Sequence, residues 1–456
     1  MIGLNGSLSI ATEALGAQTA ALEVASNNIA NANTPGYSRQ VVSLSSAALV
    51  QNGTTIDEGV SYQGFTSVRD TVLGMAINGA TSEQGSLSAQ SALLTQINSA
   101  FSGTTTGIGA SLSTLFSDLS ALSTNPSDPS ARQTVLNDAK ALADAFHQGA
   151  AAISAASSAA NQQVSSAVAE VNELSQQIAA LNGEIATTDA NGGDGGALTD
   201  QRDELTTQMA QLIGISSTKT DGTPMLTTSN GSPLVIGDSS YQLQVTTALD
   251  GTAHVLDGQG NDITNLLSGG TIGGAITARD STVPALSQQL DALASQFGTA
   301  MNNAQTTGYD LDSNPGTAMF AIPATGSAAA GIEVALTSGS QIAASSDGST
   351  GSSGNIKALL SVQSTDLASG ATPTDSYASL VGNIGFAGSQ VNSSLAANTA
   401  SLQQLTSQQQ SESAVSIDEE TANLIRYQQA YSASARVIST INDIYTTLMN
   451  MSLGGS

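Results

Sequence analysis

Two apolar rows with the same seven-residue spacing, one at each end of the chain, limit what this sequence can become. Near the start Leu8, Leu15, Leu22 and Ile29 recur every seventh residue, with Leu4, Ala11, Gln18 and Ala25 at the offset positions. Near the end Ile417, Leu424, Tyr431, Ile438 and Tyr445 keep the same period, with Tyr427, Ile441 and Leu448 three further on. A seven-residue apolar repeat is the seam of a helix that packs along another helix. The two terminal helices can pair with each other or with neighbouring copies, and periodicity does not choose between these. An isolated helix is marginal in water, so the ends are expected to be loose in the monomer and ordered in an assembly.

The first row stops in "NNIANANTPGYSRQ", residues 27 to 40. Asn33, Pro35 and Gly36 forbid continuation of a helix and permit a left-handed exit. Asn27, Asn28 and Asn31 carry amides able to fix register against a neighbouring subunit, and Tyr37 and Arg39 follow where the chain changes direction.

The interior repeats the helical signal. Helices are predicted over 70 to 101, 110 to 122 and 130 to about 187, the last with Val164, Val171, Ile178 and Ile185 seven apart. "TNPSDPSARQ" (124 to 133) connects two of them, with Ser130 as the expected cap. From 214 to 280 short β-prone runs alternate with Asp221-Gly222, Asn230-Gly231, Asp250-Gly251 and Asp257-Gly258, which are hairpin dipeptides. Helix returns at 283 to 306 on Leu286, Leu290, Leu293, Phe297 and Met301. A Gly/Ser-rich segment, 324 to 354, is expected to supply loops and a short strand pair, and helices dominate from 355 onward. The expected fold is mainly α with an inserted β domain, an α+β multidomain chain. Residues 1–50 and 413–456 form a terminal coiled-coil domain in this reading. Residues 51–213 and 281–412 form a helical bundle, and 214–280 a small outer β-rich domain.

Charge narrows the partners. With ten Lys and Arg against 36 acids and a net charge of −26, the chain lacks the clustered cations that phosphate backbones and anionic lipid require, so neither nucleic acid nor membrane insertion is expected. No stretch approaches the length of apolar sequence that spans a bilayer, and "MIGLNGSLSI" lacks the basic start of a cleaved signal. Cysteine is absent, which removes thiol nucleophiles and disulfides.

Chemistry is equally sparse. His147 and His254 are the two histidines, and neither has a triad or metal-ligand spacing. "DLDSNPG" (310 to 316) places Asp310, Asp312 and Asn314 like the start of a calcium loop, but Ala321 stands where the bidentate Glu belongs, so a turn is expected. "GGTIGG" (269 to 274) has no following Lys-Ser/Thr and is read as a plain turn. Asp203-Glu204 and Glu419-Glu420 are adjacent on helices and point apart. No catalytic, cofactor or metal site is assigned.

The segment "NNIANANTPGYSRQ" resembles the signature of the axial proteins of the bacterial flagellum, and Ser38-Arg39-Gln40 after Gly-Tyr looks most like the hook-associated protein 1 family. "NPSDPSARQTVL", "LTDQRDEL", "NNAQTTGYDLDSNPGTAMF" and "SIDEETANLIRYQQAYSASARVIST" agree in order along nearly the whole chain. Ala414 departs from the glycine common before the acidic helix start, and the outer region is shorter than in many members. The resemblance implies a non-catalytic structural protein at the junction of hook and filament, exported unfolded by the flagellar type III apparatus. It implies four partners: copies of itself in a ring-like layer, hook protein, a second junction protein next to the filament, and an export chaperone at the C-terminal helix. A hook or rod subunit shares the terminal patterns and is the near alternative. A flagellum-borne adhesin or wall hydrolase is the distant one.

Overall fold

The computed structural model describes residues 2–34, 36–51, 54–103, 107–191, 195–220 and 222–453. The chain runs α1 (Ile2–Asn31), β1 (Gln40–Gln51), β2 (Thr54–Ser67), α2 (Thr71–Phe101), α3 (Ile108–Leu122), α4 (Pro129–Ala190) and α5 (Gly196–Leu212). Short strands follow: β3 (Ile215–Thr220), β4 (Thr223–Thr228), β5 (Pro233–Ile236), β6 (Ser239–Ser240), β7 (Gln244–Thr247) and β8 (Ala253–Leu256). Next come α6 (Gly270–Thr277), α7 (Val283–Thr306), β9 (Phe320–Ala321), α8 (Ala328–Gly331), β10 (Glu333–Val334) and α9 (Ile356–Ser361). Two long helices, α10 (Pro373–Ser413) and α11 (Ile417–Leu453), close the chain. The fold is mainly α with a few small sheets, as the sequence predicts.

Two compact units divide these elements. One comprises Met1–Thr81, Glu170–Leu243 and Thr399–Ser456, the other Ser82–Ala169 and Gln244–Asn398. The second unit holds a continuous apolar core from α2, α3, α4, α7 and α10. In α3, Leu112, Leu115, Leu119 and Leu122 recur at helical spacing and are all buried. Phe297 of α7 lies edge-on between Phe116 and Phe320, with ring centres 6.3 and 5.8 Å away.

α4 starts where the prolines predicted, but its cap is Asp128 and not Ser130. The Asp128 carboxylate accepts the Ser130 N–H at 2.8 Å, while Pro129 occupies the first helical position and lacks the N–H that would need a partner. One turn on, the buried Arg132 guanidinium donates to the carbonyls of Pro126 at 2.5 Å and Ile342 at 2.7 Å. The run 126 to 132 thus folds a helix start and fastens it to the loop after β10.

Four expectations are corrected. "GGTIGG" is not a turn: Gly270–Thr277 is helix α6, with Ile272, Ala275 and Ile276 buried. A Cβ on Gly274 would stand 2.2 Å from the Ser86 carbonyl oxygen, so glycine is what lets α6 approach α2 so closely. Residues 40 to 67 are not the edge of a helical bundle but a long antiparallel hairpin pairing Gln40 with Ser67 and Gln51 with Thr54. Its turn dipeptide, Asn52-Gly53, lies outside the described residues. The segment 214–280 does not close as a single β domain: β3 to β6 form a four-stranded sheet in the first unit, whereas β7 and β8 pair with each other in the second. The Gly/Ser-rich segment supplies β10, whose partner β9 lies before it. Asp221 and residues 192 to 194 of the predicted loop "ANGGDGG" also lie outside the described residues.

The calcium-like loop is a turn, as its sequence suggests. The Asp310 carboxylate accepts the backbone N–H groups of Asp312 and Asn314 at 2.9 and 2.8 Å.

Candidate functional site

In the first unit α1 packs against α11 on one side and against the β1–β2 hairpin on another. The helices run antiparallel, since the Tyr445 hydroxyl donates to the Asn5 side chain near one end while the Arg39 N–H reaches the Ser413 carbonyl at 2.9 Å near the other. Leu8, Leu15, Leu22 and Ile29 are half-buried along this pair, and the fully buried positions are Ala17, Ala21, Val24 and Asn28. These share the face of Ile10, which lies against the hairpin glycine Gly59. The seam is therefore one of two contact stripes on α1, and the tighter one is built from small side chains.

On α11, Leu424, Ile438 and Tyr445 are half-buried, Ile441 is buried, and Ile417, Tyr431 and Leu448 are exposed. A straight helix has 3.6 residues per turn, so a row with period seven drifts by about 20° per heptad. Over four heptads the beginning of the row has rotated away from α1. A second row becomes visible for the same reason: Val437, Ile444 and Met451, seven apart, with Leu448 among them, are 49, 42, 72 and 46% exposed.

Where α1 ends, the Asn cluster divides its labour. Asn28 is completely buried and makes two bonds to the backbone of Gln40: its amide donates to the carbonyl at 2.9 Å and its carbonyl accepts the N–H at 3.0 Å. The Tyr37 hydroxyl donates to the same Asn28 oxygen at 2.9 Å. Asn28 thus acts as the strand neighbour that Gln40 lacks at the start of β1, and its amide serves the chain's own turn rather than another subunit. Asn31 donates to the Asn27 side chain at 2.8 Å; Asn27 and Asn33 are exposed, and Gly36 takes the left-handed conformation at φ 78°. Pro35 lies outside the described residues.

The next residues join three distant segments. Asp200 of α5 accepts the Ser38 N–H at 3.0 Å and the Ser38 hydroxyl at 2.7 Å, and also pairs with Arg69 at 2.7 Å. Arg69 donates in addition to the Gly196 carbonyl at 2.6 Å. Arg39 reaches the opposite way: its Nε donates to Glu420 at 2.8 Å and its Nη1 stands 3.3 Å from Glu419 at the start of α11. Glu420 is only 3% exposed. Ser38, Gln40, Arg69, Asp200, Ser413 and Glu420 thus complete an elbow of which the sequence had singled out Tyr37 and Arg39. Their signal lay in "LTDQRDEL" and "SIDEE", stretches noticed separately and brought together only by folding.

The rest of the described surface offers little for catalysis. A groove of about 480 Å³ beside α2 and α10 is lined by Leu94, Thr95, Asn98, Ile384, Gly385, Gly388, Ser389, Asn392 and Ser393, with no acid or base among them. His147 meets the Ile332 carbonyl at 2.8 Å and His254 meets Asp262 at 2.7 Å. Among the described residues, no three of the acids and histidines could hold one metal ion, and no helix is long and apolar enough to cross a membrane.

The same regions match known proteins. Residues 94–320 match the model of the flagellar hook-associated protein FlgK helical domain. Residues 8–37 match that of the flagella basal body rod protein, and residues 407–451 that of the flagellar basal body rod FlgEFG protein C-terminal region. Flagellar hook-associated protein 1 of Salmonella typhimurium is 29% identical over 545 residues, covering 97% of this chain and 99% of the relative. The protein of that name from Bacillus subtilis is 29% identical over 502 residues, covering 98% of each. The chain belongs to the hook-associated protein 1 family. A solved structure, the flagellar hook junction protein FlgK from Burkholderia pseudomallei, shares its fold, with a TM-score of 0.66 at 20% identity over 75% of this chain and 100% of the other. As a hook-associated protein the chain is a structural component of the flagellum, associated with the hook and other flagellar parts. The two rod-type matches coincide with α1 plus the elbow and with α11, so the terminal pair is the part shared with other axial proteins.

Proposed function

We propose that this hook-associated protein forms the layer joining hook to filament, exported unfolded through the flagellar type III system and fixed in place by its terminal helices. The observation that carries the reading is the α1–α11 pair, a helical hairpin that still exposes a regular apolar row on α11. A helix apolar on more than one side is built to be covered from more than one side. Copies of the chain form a ring-like layer, with hook protein on one side and a second junction protein next to the filament on the other. A dedicated export chaperone covers the region of Leu424 to Leu448 before assembly. Leu8, Leu15, Leu22 and Ile29 on α1, and Ile417, Leu424, Tyr431, Ile438, Tyr445 and Leu448 on α11, form the assembly seam, and Asn27, Asn31 and Asn33 are the elbow amides available to neighbours. The terminal pair acquires its fixed shape on docking.

The test is electron microscopy of a strain lacking the gene. Hooks without filaments, with flagellin monomer in the medium, are expected. Filaments on those hooks would overturn the reading, and loss of the hooks themselves would favour a hook or rod subunit. Returning the gene with Leu15 and Leu22 changed to serine is expected to give protein outside the cell and bare hooks.

A further inference from the structure

We infer that the exposed row of α11 docks antiparallel onto the outer face of α1 of a second copy, with Arg426 set against Glu23. The inference rests on the layer proposed above and names the contact between its members.

Three observations carry it. First, the α11 row repeats every seventh residue at Val437, Ile444 and Met451, and Arg426 lies on the same side of the helix at about 100° per residue. Second, the side of α1 turned from both α11 and the hairpin consists of small or polar residues: Ser9, Thr12, Gly16, Thr19, Glu23 and Ser26, all exposed. A Cβ on Gly16 would meet no atom within 4 Å. A flat, small-residue face lets another helix come close, which the larger Val437 and Ile444 can use.

Third, the charges match where cations are scarce. The chain has ten Lys and Arg against 36 acids. Arg39, Arg69, Arg202 and Arg279 pair with carboxylates, and Arg132 is surrounded by carbonyls. Arg426, by contrast, donates to the Asn423 side chain at 3.0 Å and lies 5.2 Å from the ring centre of Tyr427; no ion pair to it is found among the described residues, and Glu23 has none either. The register agrees. α1 and α11 of one copy lie antiparallel with Tyr445 beside Asn5, which puts residue 426 level with residue 24. A second copy at the same height, offering its outer α1 face, therefore presents Glu23 to Arg426, Gly16 to Ala433 and Thr12 to Val437.

The chain has no cysteine, so introduced thiols report the contact directly. Full-length Gly16→Cys and Ala433→Cys copies are expressed together in the strain lacking the gene, and filament-bearing hooks are isolated, oxidised mildly and run without reductant. A dimer is expected with both variants and with neither alone. Thr12→Cys with Val437→Cys provides a second pair at the same register. Filaments that assemble from both copies without a dimer, or an Ala433→Cys copy linked to a different protein, overturn the inference. Glu23→Arg and Arg426→Glu are each expected to reduce the fraction of hooks with filaments about tenfold, the scale of one lost charge-assisted contact, and the double exchange to restore it. Failure of the double exchange to restore filaments counts against the pair. If the unaltered gene itself does not restore filaments, the junction reading fails instead.

Discussion

Glu420 is nearly inaccessible to water, and its charge is compensated by Arg39, whose side chain is 26% exposed. Removing one member of a buried pair leaves the other uncompensated, which costs more than the intact pair gains. Arg39→Ala is accordingly expected to destabilise the first unit by about 2 to 4 kcal/mol, the lower end applying because part of the arginine is in water. Glu420→Gln keeps an acceptor for the guanidinium and is expected to cost about 1 kcal/mol. Urea unfolding of both variants, followed by a probe in α11, checks the order; equal costs would show that the pair is not what holds the elbow. Asn28 illustrates the limit of residue-level reading. An Asn in a helix-ending cluster is equally suited to a neighbouring subunit or to the chain's own backbone, and only the position of Gln40 decides.

At the scale of elements, the α3–α4 hairpin carries a pH-sensitive contact. Burial, followed by the hydrogen bond and charge of Asp118, raises the Asp138 pKa to about 6. A carboxyl whose pKa is higher folded than unfolded makes the folded state bind the extra proton, so its contribution is favourable below about pH 4 and is lost as the pH rises through about 6. Asp138→Asn keeps a donor towards Asp118 at every pH. It is expected to raise the melting temperature at pH 7, with the difference from the unaltered chain vanishing near pH 4; a constant difference across that range would contradict the shared proton. Of the elements, the helices were legible because each presents one apolar stripe at helical spacing, as in Leu286, Leu290, Leu293, Phe297 and Met301. The β1–β2 hairpin was not, because "VVSLSSAALV" is neither a clean alternation nor a helical stripe, and its Asn-Gly dipeptide is a single local signal. α6 was misread because glycines that ordinarily mark a turn here permit close helix approach.

For the whole molecule, the two units imply two responses to truncation. Deleting residues 1–33 removes the helix on which both α11 and the hairpin pack, but touches nothing in the continuous core of the second unit. Calorimetry of the shortened chain is expected to show the second unit's transition unchanged and that of the first lost or lowered. A single transition, abolished altogether, would contradict the division. The sequence by itself determined the helices, the paired terminal repeats and the family, because these depend on periodicity and local motifs that each segment carries alone. Tertiary structure decided which face of each terminal helix is covered, that Asp200, Arg39 and Glu420 form one elbow, and that Asn28 serves the chain's own backbone. Those outcomes depend on distances between segments more than a hundred residues apart, and no local pattern of side chains encodes such a distance.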